Sequence, residues 1–484
     1  QYNTAEYNVA IGYAAAQTNT TGTHNTAVGS NALANNTTGS HNVAVGSQAL
    51  DANTTGNYNY ALGKDALGAN TTGSVNIAIG NALTSNTTGE SNIAIGSNSL
   101  GDNTTGNYNV ALGRQALGDN TTADSNTAIG YNSLYYNTTG QSNTALGKDA
   151  LKANTTADYN VAIGALCLDA NTTGGNNTAA GVAALGKNTT ASNNTAFGRA
   201  ALAENTTGTN NVAVGANALD ANTTASYNTA VGADALGANT TGTNNVALGR
   251  DAGKTQTTHN GCTWIGTSAG QVNIADNNTG VGAGALYSNT TGTQNTAVGA
   301  YAADAITTNN DNTVIGYAAL TDATGAHENV VIGMQAAKAG ATPYRAVAIG
   351  KQALYNGTAQ GTVAIGYAAG YNFTTGGNWV CIGYEAAYTY TTTGTGVAVG
   401  YRSQKYATGA DNCSLGGHTM EASSCTGAYN TAIGQQALSV LTPIVIGTSF
   451  IILASTTFKL PITFTLQPAI GFCSIKSICF IAAA

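Results

Sequence analysis

The chain repeats one phrase at an interval of 17 residues, and that period limits what it can fold into. The phrase Asn25-Thr26-Ala27-Val28-Gly29-Ser30-Asn31-Ala32-Leu33-Ala34-Asn35-Asn36-Thr37-Thr38-Gly39 reopens at Asn42. It recurs at Asn59, Asn76, Asn109, Asn126, Asn143, Asn160, Asn177, Asn194, Asn211, Asn228 and Asn245, with one step of 16 from Asn76 to Asn92. A short fixed period is the signature of a solenoid, whose coils stack on one another and need no central globular core. It overrides the prior of about three domains that the length would otherwise suggest.

Each coil reads as β-structure. Thr26 and Val28 alternate with Ala27, the period-two pattern of a short strand with two faces. Gly29 permits a sharp corner that a residue with Cβ resists, and Gly46, Gly63, Gly80, Gly113 and Gly130 stand at the same place. Ala32 and Leu33 supply a second apolar contact, and Asn36-Thr37-Thr38-Gly39 returns the chain by turn chemistry. Seventeen residues are too few for a strand–helix–strand unit, which needs about 30. The predicted fold is all-β, a parallel β-solenoid of about 17 residues per rung. Asn8 to Asn430 covers about 25 intervals, hence about 26 rungs, and stacking at about 4.8 Å predicts a rod on the order of 125 Å.

The frame divides the chain by regularity. Residues 1–260 form a regular repeat shaft. Residues 261–437 keep the frame with degenerate letters, as in Cys262-Thr263-Trp264-Ile265-Gly266 and Val380-Cys381-Ile382-Gly383. Residues 438–484 are apolar and read as a small β-rich cap, trimerisation or attachment element, with Ile444-Val445-Ile446-Gly447 as one further rung. The run Phe450-Ile451-Ile452-Leu453 is far short of the roughly 20 residues of a membrane-spanning helix, so no membrane insertion is expected. The opening Gln1-Tyr2-Asn3-Thr4 already reads as repeat and carries no secretory signal, as expected of a fragment or a processed product.

Charged residues make up 8 %, against about 25 % in ordinary domains, and Asn, Thr, Ala and Gly stand in their place. The net charge of −7 and the lack of any basic cluster argue against nucleic-acid binding. The seven cysteines form no C-x-x-C pair and read as free, small hydrophobes. Catalysis finds no support either. His24, His41, His259, His327 and His418 are scattered, and Asp65, Asp149, Asp234 and Asp251 sit on separated rungs without a calcium-binding pattern. No enzyme activity, cofactor or metal is expected.

Two columns bear on partners. The Ala27-type position stays Ala in Ala44, Ala61, Ala78, Ala111, Ala128 and Ala145, opposite the expected Val ladder. A face kept that small, beside a thin core, predicts close approach of other chains about a threefold axis, a homotrimeric rod that Trp264 would interrupt. The position before the repeat Asn gives Tyr7, His24, His41, Tyr58, Tyr108, Tyr159 and Tyr227 along one edge. Exposed aromatic faces bury apolar sugar faces, so this edge reads as glycan-contacting or as plain turn packing. Asn-Thr-Thr at Asn19, Asn36, Asn53, Asn70, Asn86, Asn103, Asn120, Asn137 and Asn154 is formally a glycosylation sequon. An Asn/Thr ladder bonding between rungs is the favoured reading, because glycans every 4.8 Å or so would collide.

The motif Asn-[Thr/Val]-Ala-[Val/Ile/Leu]-Gly-x-x-Ala-Leu, over residues 8–437, resembles the head repeat of YadA-type trimeric autotransporter adhesins, a repeat also found in bacteriophage tail and other virion fibres. The resemblance implies a left-handed parallel β-roll wound into a trimer. Here the rung is longer, with Asn-Thr-Thr-Gly inserted at the turn, and no heptad stalk or membrane-anchor strands follow. The expected function is an extracellular fibre on a virion or cell surface that attaches to a host cell-surface glycan or protein. The alternatives are the head of an autotransporter-like bacterial adhesin and a purely structural extracellular filament. Recognition is expected where aromatics decorate the degenerate repeats, at Trp264, Tyr344, Tyr371, Trp379, Tyr384, Tyr388 and Tyr390, because exposed aromatics on a rigid frame suit a binding surface.

Overall fold

The computed structural model describes residues 5–339, 343–358, 360–374, 377–390, 394–422 and 426–439, and the backbone of 451–453. The described residues form an all-β parallel β-solenoid of about 17 residues per turn, with 27 strands of three or four residues and no helix. Two compact units divide it, Gln1–Asn245 and Val246–Ala484. In the first, strands run from β1 (Val9–Ile11) and β2 (Thr26–Val28) to β14 (Thr229–Val231). Each sits one turn after the last and pairs with it in parallel without register slip, as in Val9↔Thr26, Ala10↔Ala27 and Ile11↔Val28. In the second unit, β15 (Val246–Leu248) to β26 (Thr431–Ile433) repeat that arrangement, and β27 (Ile451–Leu453) pairs in parallel with β26. The expected rung at Ile444–Gly447, and the rest of the expected terminal element, lie outside the described residues.

The rung turns its faces the opposite way from the sequence reading. Ala27, Ala44, Ala61, Ala78, Ala111, Ala128 and Ala145 all point into the coil and are at most 1 % exposed. The residues on either side of them point outward. The coil interior explains this, because Leu33 and two asparagines already occupy it and leave room for a methyl group only. An Ala face for close approach of another chain is therefore ruled out. The outer ladder is instead β-branched and apolar, with Ile11, Tyr60, Leu62, Ile79, Leu146, Ile163 and Phe197 among its exposed members.

Two buried amide columns complete the interior. Asn36 Nδ2 donates to Gly39 C=O at 2.9 Å and to Asn19 Oδ1 at 2.8 Å, and Asn36 Oδ1 accepts from Asn53 Nδ2 at 2.8 Å. In the other column Asn25 Nδ2 donates to Gly39 C=O at 2.9 Å, while its Oδ1 accepts the Asn42 backbone N–H at 2.9 Å. Every such bond removes a polar group from solvent with its partner already in place, which is the condition for burying it at all. Asn36, Asn53, Asn70, Asn86, Asn103, Asn120, Asn137 and Asn154 are fully buried, so the ladder reading of Asn-Thr-Thr is the one the fold adopts. Thr37 Oγ1 extends it by donating to Thr54 C=O at 2.9 Å.

The corners carry unusual backbone. Gly29 has φ +136°, and a Cβ there would lie 2.5 Å from the Gly46 carbonyl oxygen, so no other residue fits. Gly46, Gly63, Gly113 and Gly130 share that geometry at φ +132° to +139°, and Gly80 has φ +94°. Asn31 at +59°, Leu33 at +52° and His41 at +59° are also left-handed, without being glycine. Such a conformation costs an L-residue about 1–2 kcal/mol. The stack sustains it: Leu33 is fully buried and its N–H donates to Ala49 C=O at 2.9 Å.

Candidate functional site

Where a side chain stands in the 17-residue frame decides whether it meets solvent. Trp379 occupies the slot of Asn25, and Tyr390 occupies that of Asn36, both inward-facing. Trp264 occupies the inward slot of Ala27. All three are fully buried, which overturns the expectation that they contact a ligand. Trp264 fits because Gly270 replaces the inward Leu and Gly280 replaces the inward Ala. A Cβ at either would fall 2.3 Å or 2.9 Å from the indole ring. Its Nε1 donates to Gln256 Oε1 at 2.9 Å. Trp379, Tyr390 and Phe373 form a buried cluster with centroids 4.3–5.4 Å apart. There Trp379 Nε1 donates to Gly394 C=O at 2.8 Å and Tyr390 Oη to Gly409 C=O at 2.6 Å. These aromatics replace the amide columns as core.

Tyr384 and Tyr388 stand in outward slots, one and five residues past the corner Gly383. They belong to two aromatic columns. Tyr367, Tyr384 and Tyr401 stack at 4.9 and 5.2 Å, and Tyr355, Tyr371 and Tyr388 stack at 4.9 Å per step. Tyr367, Tyr384 and Tyr401 are 37–46 % exposed, while Tyr355, Tyr371 and Tyr388 are half-buried. The strip between the columns is floored by Ala368, Ala369, Ala386 and Ala387, all buried. Tyr367 lies within electrostatic reach of both Tyr371 and Tyr388. Burial pushes the Tyr371 and Tyr388 phenols up, and Glu385 adds to the effect on Tyr388, so both remain protonated donors at neutral pH.

The charges on this face pair with one another. Arg402 Nε meets Glu385 Oε2 at 3.0 Å and Lys405 Nζ meets it at 2.6 Å. Burial alone would raise the Glu385 carboxyl, but hydrogen bonds and attraction from Lys405 and Arg402 hold it below the usual carboxylate range. Cations also cap the columns: Lys351 Nζ lies 5.9 Å from the Tyr367 centroid, Arg402 5.2 Å from Tyr401, and Lys405 5.7 Å from Tyr388. Sequence reasoning missed Tyr355, Tyr367, Tyr401, Arg402 and Lys405. Their positions one, two or five residues after Gly350, Gly366 and Gly400 were the available signal.

Tyr344 belongs to neither column. It lies at another corner, edge-on to His327 at 6.4 Å and under the Arg345 guanidinium at 4.6 Å, with Arg345 paired to Glu328 at 2.8 Å. In the first unit Tyr7, His24, His41 and Tyr58 stack at 4.8–4.9 Å. Their ring faces turn towards each other along the column, so within the stack they are closed to a sugar.

Cys167, Cys262 and Cys381 are free and buried, with thiols pushed up by burial to about 12, 11 and 12, which keeps them protonated and unreactive at neutral pH. Among the described residues no group of three or more His, Cys, Asp or Glu could hold a metal ion, and no helix is long and apolar enough to cross a membrane. The fold and surface thus define a class, a parallel β-solenoid with an apolar strand face and an aromatic turn face. No protein-family model and no curated protein matches the sequence.

Proposed function

We propose that the chain is the shaft of an extracellular fibre, on a virion or a cell surface, which assembles as a homotrimer and attaches to a host cell-surface glycan or protein. The outer strand ladder carries this reading. In the first unit it runs over 14 strands. At about 4.8 Å per rung and about 10 Å of strand width it covers roughly 700 Å². That exceeds the largest apolar patch of a typical monomer, about 300–600 Å², and approaches the 800 Å² or so per partner of a stable interface. A second chain presenting the same ladder offers the same spacing and the same lack of charge. Three chains and many fibres would then multiply weak contacts into avidity.

Light scattering tests the assembly. The wild-type chain is expected at three times the monomer mass, and a stable wild-type monomer refutes the trimer. Leu146→Asp with Ile163→Asp, register neighbours exposed at 43 % and 42 %, should shift the mass towards monomer without unfolding the coil. Binding of labelled fibre to intact cells tests attachment separately.

A further inference from the structure

The two tyrosine columns of the second unit restrict the chemistry of what they can hold. Tyr rings usually recognise a sugar by laying an open ring face on its apolar face. Here the faces are taken. Within each column one ring covers the next at 4.9–5.2 Å, and Lys351, Arg402 and Lys405 lie over the rings at the column ends. What remains outward is ring edge and phenol hydroxyl, repeated once per rung in two rows flanking the strip floored by Ala368, Ala369, Ala386 and Ala387. Each hydroxyl both donates and accepts. The cations beside the strip are committed, since Glu385 holds Arg402 and Lys405. An anionic ligand would have to compete for them.

We propose that this strip binds a neutral, extended, equatorially linked β-glycan lying parallel to the solenoid axis of this unit, one sugar per rung. Such a glycan is straight and advances per sugar by close to the rung spacing of about 4.8 Å. Its equatorial hydroxyls project to both sides and meet the phenol rows in register, while the alanine floor leaves room for the ring edges. An α-linked glycan coils and loses that register after one or two sugars. The specificity lies in the repeat distance, and several weak hydrogen bonds add along the chain. The proposal rests on the attachment reading above and names the ligand class of its surface.

The test uses the full chain and three probes in isothermal titration: oligosaccharides of cellulose and of chitin, maltooligosaccharides, and a polyuronate as the anionic probe. Binding of a cellulose or chitin oligosaccharide that strengthens with each added sugar, with none to the α-linked series, is expected. The quadruple change Tyr367→Phe, Tyr371→Phe, Tyr384→Phe and Tyr388→Phe keeps the ring stacks and removes the hydroxyls, and should weaken binding about tenfold or more. Unchanged affinity in that variant overturns the hydroxyl-row mechanism, and preference for the polyuronate or the α-linked series overturns the ligand class. If wild-type fibre binds intact cells but no β-glycan, the ligand class falls while the attachment reading stands. If it binds neither, both fall.

Discussion

Replacing Asn120 by Val should cost about 2–6 kcal/mol, and replacing Asn137 by Val as well should add far less than that again. Asn120 Nδ2 donates to Asn103 Oδ1 at 2.9 Å and to Ala123 C=O at 3.2 Å, and its Oδ1 accepts from Asn137 Nδ2 at 3.0 Å. Val makes none of these bonds. Ala123 C=O keeps the donor Asn109 Nδ2 at 2.8 Å, so it is not orphaned. Asn103 Oδ1 and one N–H of Asn137 are left buried and unpaired. Each such group costs about 1–3 kcal/mol. In the double variant the unpaired groups are Asn103 Oδ1 and the Nδ2 of Asn154, which had donated to Asn137 Oδ1 at 2.8 Å. Their number is still two. The penalty therefore belongs to the ends of an interrupted ladder and not to each lost amide. The second substitution adds only its own packing loss, roughly 1 kcal/mol. Urea unfolding of the full chain, followed by circular dichroism, measures both variants, with local hydrogen exchange in the neighbouring rungs as a check on non-two-state behaviour. Two strictly additive penalties would refute the ladder-end argument. A single penalty below about 0.5 kcal/mol would show that the amides contribute little.

Two further perturbations probe the corner and a buried acid. Gly113→Val places a Cβ 2.7 Å from the Gly130 carbonyl oxygen at φ +132°, so it should lower the thermal midpoint and open the rung to protease at a cost of about 1–3 kcal/mol or more. Unchanged melting and proteolysis would contradict the corner geometry. The Asp304 carboxyl is pushed up to about 6, first by burial and then by Asp322, and its Oδ1 is buried without a hydrogen-bond partner. Its folded pKa lies above its unfolded one, so ionisation opposes folding, with no penalty below about pH 4, a growing one to about pH 6 and a constant one above. Asp304→Asn should match wild type near pH 4 in melting experiments and exceed it at pH 7, and an equal gain at both would place the effect elsewhere.

How much of this the sequence disclosed varies with the physics involved. The period and the Gly29-type corners gave the coil, because a 17-residue repeat has few ways to stack. The polarity of the strand was not recoverable from hydrophobicity. Val28 is more apolar than Ala27, and burial normally follows size, yet the coil is so narrow that Ala27 goes in and Val28 stays out. The polar Asn25 and Asn36 were equally misleading on any hydropathy scale, since their burial depends on partners one turn away that only stacking supplies. Trp264, Trp379 and Tyr390 read as surface decoration because they were judged as exposed aromatics. Judged by slot, they fall on Ala27, Asn25 and Asn36 and belong inside. Gly270 and Gly280 beside Trp264 were a further legible sign, two side chains removed where one large one had arrived.

That inversion separates two tasks on one rung. Had the Ala column faced outward, the strand face would have been smooth and the large β-branched residues spent on the core. With the Val, Ile and Leu residues outside, the core runs on alanine, one leucine and amides that satisfy each other, and the surplus apolar surface lies on the strand. The turn face is free of that surplus. It varies from Ser30, Ser47 and Lys64 in the first unit to Tyr367, Tyr384 and Tyr401 in the second, while the inward slots hold the coil. A chain that associates through its strands can therefore change its turns rung by rung without disturbing what it packs against. Substitutions on the tyrosine columns should accordingly alter binding and leave assembly mass unchanged, whereas Leu146→Asp with Ile163→Asp should do the reverse for each single-chain site. A variant of the tyrosine rows that dissociated the fibre would place both tasks on the same face.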